Sequence, residues 1–511
     1  MSIATLSLAA TTIFLPLLLL LLFLIRGRHR LHAALNLPLP PGPRGWPLLG
    51  VLPLLRPLPH AALASLAKRY GSIMYLKLGT SGFAVASSPA AARAFLHTHD
   101  LLFADRPLNA AARHISYGGQ DLVSADYGPL WKLLRRLSIT HLLGPRPLVQ
   151  WAPARLSESA LMVRSVLDLS RLGEPVRVQE AAMVALANML GLAMLSRRVF
   201  DSYGAESSEF KRVVSEWMKL SGMANLGDFI PSIKWLDVQG IDRRLKSLHA
   251  RFDALMTRML REHADTAGER EGRPDFVDYL LASSKSSESE VVVSDTNIKG
   301  LVLDMFIAGT DTSSVSIEWA FAELLKNRSI LKRAQLELDN VIGRDRKLEE
   351  SDIPKLPYLQ AICKEALRMH PSTPLSLPHL SNQACKVDGF YIPEGTRLLV
   401  NIWAIGRDPD IWENPLEFNP DRFLSGKGAN IDLQGTDFEL MPFGGGRRIC
   451  VGKSVGILFV QYLLGTLLHS FDWMIPDGEE LDMEEAPGLV LQKNVPLIAL
   501  ASPRLAPTAY V

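Results

Sequence analysis

The chain has 511 residues, 48% of them hydrophobic, and 55 basic against 53 acidic side chains give a net charge of +2. At about 150 residues per domain that length suggests roughly three domains, as a soft prior. The apolar content excludes a disordered chain, the interspersed charges exclude a basic block for nucleic acid, and three cysteines exclude a disulfide framework. So sparse a set fits a reducing compartment, with one cysteine free for chemistry.

Residues 1–25, "MSIATLSLAATTIFLPLLLLLLFLI", carry no charged side chain. As a helix they would span about 37 Å, against a hydrocarbon core of about 30 Å. Pro16 is tolerated in lipid. Arg26, Arg28 and Arg30 follow, and the positive-inside rule puts the rest of the chain on the cytosolic side. The rival reading is a cleaved signal peptide. No basic region precedes the apolar run and no small-x-small site closes it. The expectation is a signal-anchor transmembrane helix over 1–25, then a basic stop and proline-rich hinge over 26–50. In "LPLPPGPRGWPLLG" the prolines favour extended backbone.

Next, "AALASLAKRYG" predicts a helix ended by glycine. "IMYLKLG" and "GFAVASS" predict a short hairpin. Helical patterns dominate from about 128 to 330, interrupted by a serine-rich loop, Ser283–Asp295. The last third mixes helix with short strands such as "RLLVNIW". The class is mainly α with a small β portion, one large domain over 51–511.

Three stretches point to chemistry. In "LVLDMFIAGTDTSSVSIEWAFAELL", Gly309 costs about 1 kcal/mol relative to alanine in mid-helix. Thr312 is placed to bond back to the carbonyl of residue 308 and bend the helix. Ala308 and Gly309 leave room for a small ligand such as O₂. Asp311 and Thr312 set an acid and a hydroxyl beside it, which suits proton delivery. Alone, a core helix with a packing glycine explains the pattern equally well. In "KEALRMHP", Glu365 and Arg368 share a helical face at i, i+3, as ordinary ion pairs do. In "MPFGGGRRICVG", residues Phe443, Gly446, Arg448, Cys450 and Gly452 fit F-x-x-G-x-R-x-C-x-G. Glycines permit turns a Cβ would forbid and bring amides to the sulfur. Arg448 is placed to pair with a carboxylate on a ligand's rim, and Phe443 keeps water away. The set suits a haem iron held by a thiolate. Cys363 and Cys385 lack such a setting and read as core.

The cysteine loop resembles the haem-binding loop of the cytochrome P-450 superfamily. Ala308–Ser313 is similar to its oxygen-activation motif, A-G-x-D-T-[ST], and the likeness runs from about Leu37 to Leu505. It implies a monooxygenase with haem b ligated by Cys450 and bordered by Ala308, Phe443 and Arg448. It also implies a proton relay of Asp311 and Thr312. Trp131 and Arg135, at i and i+4 in "WKLLRRL", would face a haem propionate. His379 stands where many relatives have a propionate-binding arginine. Glu365, Arg368 and, from "FNPDRF", Arg422 would form a structural triad. The chain has no G-x-G-x-x-G after a strand and no P-loop. The resemblance therefore implies electrons from NADPH through a separate flavoprotein reductase, with Lys132 and Arg136 on its docking surface. It further implies a single-pass endoplasmic-reticulum protein with a cytosolic catalytic domain.

Several stretches resemble the plant flavonoid B-ring hydroxylases, among them "FADRPLNAAARHISYGGQDLVSADYGPLWKLLRRLS" and "NIWAIGRDPDIWENPLEFNPDRF". "YGGQDLV" and "GDFIPSIKWLDVQGI" are nearer those that act at both 3′ and 5′. The resemblance implies a phenolic substrate in a pocket drawing on His114, Gln120, Phe306, Thr373, Leu375 and Val490. At the last position the 3′,5′-enzymes usually have a small residue and the 3′-enzymes often threonine. Valine is neither, so 3′ against 3′,5′ stays open. Another phenylpropanoid or a terpenoid is the competing substrate class. A rearranging haem-thiolate enzyme and a non-catalytic haem-binding membrane protein are the remaining readings.

Overall fold

In the computed structural model the described residues are 37–200, 223–285 and 291–510, with 209, 212, 213, 216, 217 and 220. The apolar stretch 1–25, its three arginines and the centre of the serine-rich loop lie outside them.

The chain enters through helix α1 (Pro59–Tyr70), which starts on a proline and ends at Gly71 with φ +101°. Strands β1 (Ile73–Leu78) and β2 (Ser81–Ala86) then form the expected hairpin, in register from Ile73 opposite Ala86 to Leu78 opposite Ser81. Helices α2 (Pro129–Ser138), α3 (Ala152–Leu172), α4 (Val178–Leu195) and α5 (Ile241–Asp265) follow, with the two-residue strand β3 (Val176–Arg177) before α4. Helix α4 is apolar and long enough to cross a bilayer, yet most of it is buried against α3 and the long helix α6.

Helix α6 (Asp295–Lys326) runs 32 residues, about 48 Å at 1.5 Å each. Ser294 and Asn297 cap it reciprocally. It carries almost no amphipathic stripe because other helices cover it on all sides: α4, α7 (Pro357–Met369) and α8 (Lys453–Ser470). The β portion is small. Strands β4 (His379–Leu380), β5 (Cys385–Val387), β6 (Phe390–Ile392), β7 (Arg397–Val400), β8 (Phe471–Met474) and β9 (Ile498–Pro503) complete three sheets, ordered β1-β2-β7-β4, β3-β9-β8 and β5-β6. Strand β7 joins the hairpin in parallel, Phe83 beside Arg397, and is antiparallel to β4, setting His379 opposite Leu398.

Glu365 and Arg368 sit on the buried face of α7. Arg368 Nε and Nη2 donate to the two Glu365 oxygens at 2.7 and 2.8 Å, and Arg422 Nε joins Glu365 Oε1 at 3.0 Å. The remaining Arg368 donors reach the carbonyls of Gly406, Pro415 and Glu417, and the Asn419 amide reaches Glu365. The trio thus fastens the irregular segment 406–422, which runs on into the cysteine loop.

Candidate active site

The loop 441–452 is built by its glycines. Gly446 has φ +65°, and a Cβ there would lie 1.8 Å from the Leu96 carbonyl oxygen. Only glycine fits so tight an approach. The Cys450 amide donates to the Phe443 carbonyl at 2.9 Å, and α8 begins three residues later, so its positive end faces the sulfur. Burial pushes the Cys450 thiol up; the Gly452 amide, Arg135 and Lys453 pull it down. Cys450 has open surface, but that surface faces an internal cavity.

The cavity holds about 260 Å³ between Cys450 and the middle of α6. Ala308, Gly309 and Thr312 line one side; Phe443, Arg448 and Cys450 line the other, with Trp131 and Arg135 from α2 and His379 from β4. Thr373 is also on the wall. Thr312 Oγ1 donates to the Ala308 carbonyl at 2.7 Å. Gly309 leaves space, and it also admits Leu190 of α4, which a Cβ would approach at 2.7 Å. Asp311 is buried just off the wall. Burial raises its carboxyl to about 6, Gln492 bonds to it, and its Oδ2 has no partner.

Cations gather at one end. Arg448 stacks over Trp131 at 4.7 Å and donates to the carbonyls of Ala104 and Ala125. Arg135 Nη1 donates to the Ile449 carbonyl at 3.0 Å. Sequence reasoning missed Arg106, whose Nη1 donates to the carbonyls of Leu377 and Pro378 at 2.8 and 2.7 Å. Nothing in "FADRP" signals an inward side chain; the carbonyls that turn it inward come from 271 residues away. Burial and then Arg448 lower Arg106 to about 9. His379 Nδ1 donates to the Phe103 carbonyl at 2.8 Å, and burial, Arg106 and Arg448 hold the ring well below its usual range. It is therefore neutral, with Nε2 a lone-pair acceptor that donates only once protonated.

Buried arginines without a carboxylate are costly. Arg106 Nε and Arg448 Nη1 are buried with no hydrogen-bond partner. Two orphaned cationic donors, an adjoining cavity and a cysteine at its floor fit a flat group that carries carboxylates on one edge and a metal at its centre.

The remaining expected pocket residues lie off this wall. His114 Nε2 pairs with Asp242 Oδ2 at 3.0 Å on α5. The Gln120 carbonyl accepts from Asn297 at 2.7 Å. Phe306 is in the main apolar core, Leu375 packs with Leu399 on the first sheet, and Val490 packs on Val315 and Trp319 of α6.

This geometry agrees with the comparisons. The Cytochrome P450 family model matches residues 40–500, and the chain belongs to that family. Its group is haem with a thiolate-bound iron. A Flavonoid 3′,5′-hydroxylase of Eustoma exaltatum subsp. russellianum is 60% identical over 94% of this chain and 92% of its own. One from Solanum melongena is 57% identical over 92% of each. A flavonoid 3′-monooxygenase of Crocosmia x crocosmiiflora is 47% identical over 96% of this chain and 98% of its own. Among solved structures, a zebra fish cytochrome P450 with progesterone superposes at a TM-score of 0.75, with 26% identity, over 88% of this chain and all of that one.

Proposed function

We propose that the protein hydroxylates the B ring of flavonoids at the 3′ and 5′ positions, as a haem-thiolate monooxygenase fed by a separate NADPH-dependent flavoprotein reductase. The observation that carries this is the cavity between Cys450 and the Ala308–Thr312 stretch of α6, with cations at one end and mostly apolar wall elsewhere. The names of the relatives support the substrate class, and their identity to this chain favours the 3′,5′ over the 3′ reading.

Bound haem supplies activation of O₂ and insertion of one oxygen atom into an aromatic C–H. The chain does the rest. Cys450 would ligate the iron, while Arg106, Arg135 and Arg448 would hold the carboxylates. Leu122, Val123, Leu190 and Leu377 exclude water from the substrate side. Asp311, poised near neutral pH, stores a proton behind the wall, and the Thr312 hydroxyl passes it to the cavity. Lys132 and Arg136 point outward from α2 and belong to the reductase-docking face. The N-terminal stretch 1–25 anchors the protein in the endoplasmic-reticulum membrane with the domain in the cytosol.

The test is expression in microsomes with a plant-type reductase, NADPH and naringenin, counting B-ring hydroxyls by mass spectrometry. Two added oxygens are expected. One would make the protein a 3′-hydroxylase. None, from a preparation with the thiolate-haem signature in its reduced CO spectrum, would discard the flavonoid substrate and keep the monooxygenase.

A further inference from the structure

Among the described residues lining the cavity, Asp304 is the one acid. It lies one turn before Ala308 and two before Thr312, on the same face of α6. Its Oδ2 accepts from the amides of Leu122 and Val123 at 2.9 and 3.2 Å, tying the 121–125 loop to the helix. Its carboxyl also bonds that of Asp121, which the Ser124 amide fixes at 2.7 Å. Burial and the Asp121 charge both raise Asp304 well above the carboxylate range, so one proton is held between the two groups. The carboxyl is thus locked in place by these partners, and Asp304 lines the cavity. Arg106, Arg135 and Arg448 would be taken up by the haem carboxylates, which leaves Asp304 as the acidic group on the wall for a substrate.

We propose that Asp304 accepts the 4′-hydroxyl of the flavonoid B ring and is the residue that positions the ring for attack at 3′ and 5′. This rests on the flavonoid reading. A phenol is a strong hydrogen-bond donor, and a buried polar group on an apolar wall discriminates strongly for the partner that satisfies it. The geometry also accounts for two hydroxylations in one site. The 4′-oxygen lies on the twofold axis of the ring. A ring held there exchanges 3′ for 5′ by a half-turn about that axis, without leaving its hydrogen bond. A contact to any off-axis group would have to break between the two steps.

The experiment is equilibrium dialysis of the full-length holoenzyme with three flavanones: naringenin, its 4′-methyl ether, and the analogue with no B-ring hydroxyl. The wild-type protein is expected to bind naringenin about tenfold tighter than either analogue, which is roughly 1.4 kcal/mol. Asp304→Asn keeps an oxygen for the two loop amides but turns its remaining atoms into donors toward Asp121, so it should bring naringenin down to the analogues and leave theirs unchanged. Asp121→Asn, whose side chain is off the wall, should preserve the preference for naringenin. Equal affinities in the wild type overturn the proposal without any variant. So does an Asp304→Asn protein that loses all three ligands equally, which marks a merely structural role, or one that loses none. If the wild type binds no flavanone at all, the flavonoid reading fails first and the 4′-hydroxyl contact falls with it.

Discussion

Cys450 and Cys363 are the same residue type in opposite settings. Cys363 is fully buried in apolar surroundings that push its thiol far up, whereas Cys450 has an amide, two cations and a helix end around it. Most of that contrast was legible in the sequence because the glycines, Lys453 and the start of α8 lie within ten residues of the sulfur, whereas Arg135 comes from α2. Arg106 was not, because its inward aim is set by carbonyls on a distant segment. Arg106→Gln is expected to lower haem retention several-fold, read as the haem-to-protein ratio after gel filtration, while Arg136→Gln, on the outer face, leaves it unchanged. Asp311 makes a pH prediction. Its folded value near 6 exceeds the ordinary 3.8, so the folded state binds the extra proton between the two. Its contribution to stability therefore falls as pH rises through that window and is fully unfavourable above about 6, by roughly 3 kcal/mol. Asp311→Asn should melt higher than the wild type at about pH 7.5 and together with it near pH 4. A variant that melts lower at both would show that Asp311 is ionised and satisfied.

At the scale of elements, α6 and the β1–β2 hairpin were legible because their patterns are local: a long, mostly apolar run free of proline for one, alternation around a glycine for the other. The partner of the hairpin was not, since Phe83 and Arg397 meet across most of the chain. Nor did the spacing of Glu365 and Arg368 announce that both are wholly buried. Their burial decides the cost of breaking them. Glu365→Ala leaves a guanidinium stranded in the core and should destabilise by about 3–5 kcal/mol in urea unfolding. Arg422→Ala, nearer the surface, should cost less. Gly309 had a ready reading as space for a ligand, but in the fold it also admits Leu190. Gly309→Val therefore strains the α4–α6 contact as well as the cavity, and should lower the melting temperature even in protein stripped of haem.

For the whole molecule, the fold class followed from helical patterning, while the arrangement of the sheets depends on pairings between distant segments. The sheet β3-β9-β8 sets Val176 beside Ala499, and the side chain of Tyr510 closes this corner by bonding the amides of Arg504 and Leu505 and the Ser470 carbonyl. A chain cut after residue 495 should fail to yield a soluble haem-bound domain, although every residue of the site is still present. The same pairing bears on how the protein is made. More than 300 residues separate Val176 from Ala499. At about 5–20 residues per second the first must wait roughly 15–65 s on the ribosome for the second to be synthesised. Throughout that interval the apolar faces of α3 and α4 lack their C-terminal cover, so slow translation of the last third carries an aggregation risk that the finished fold does not have.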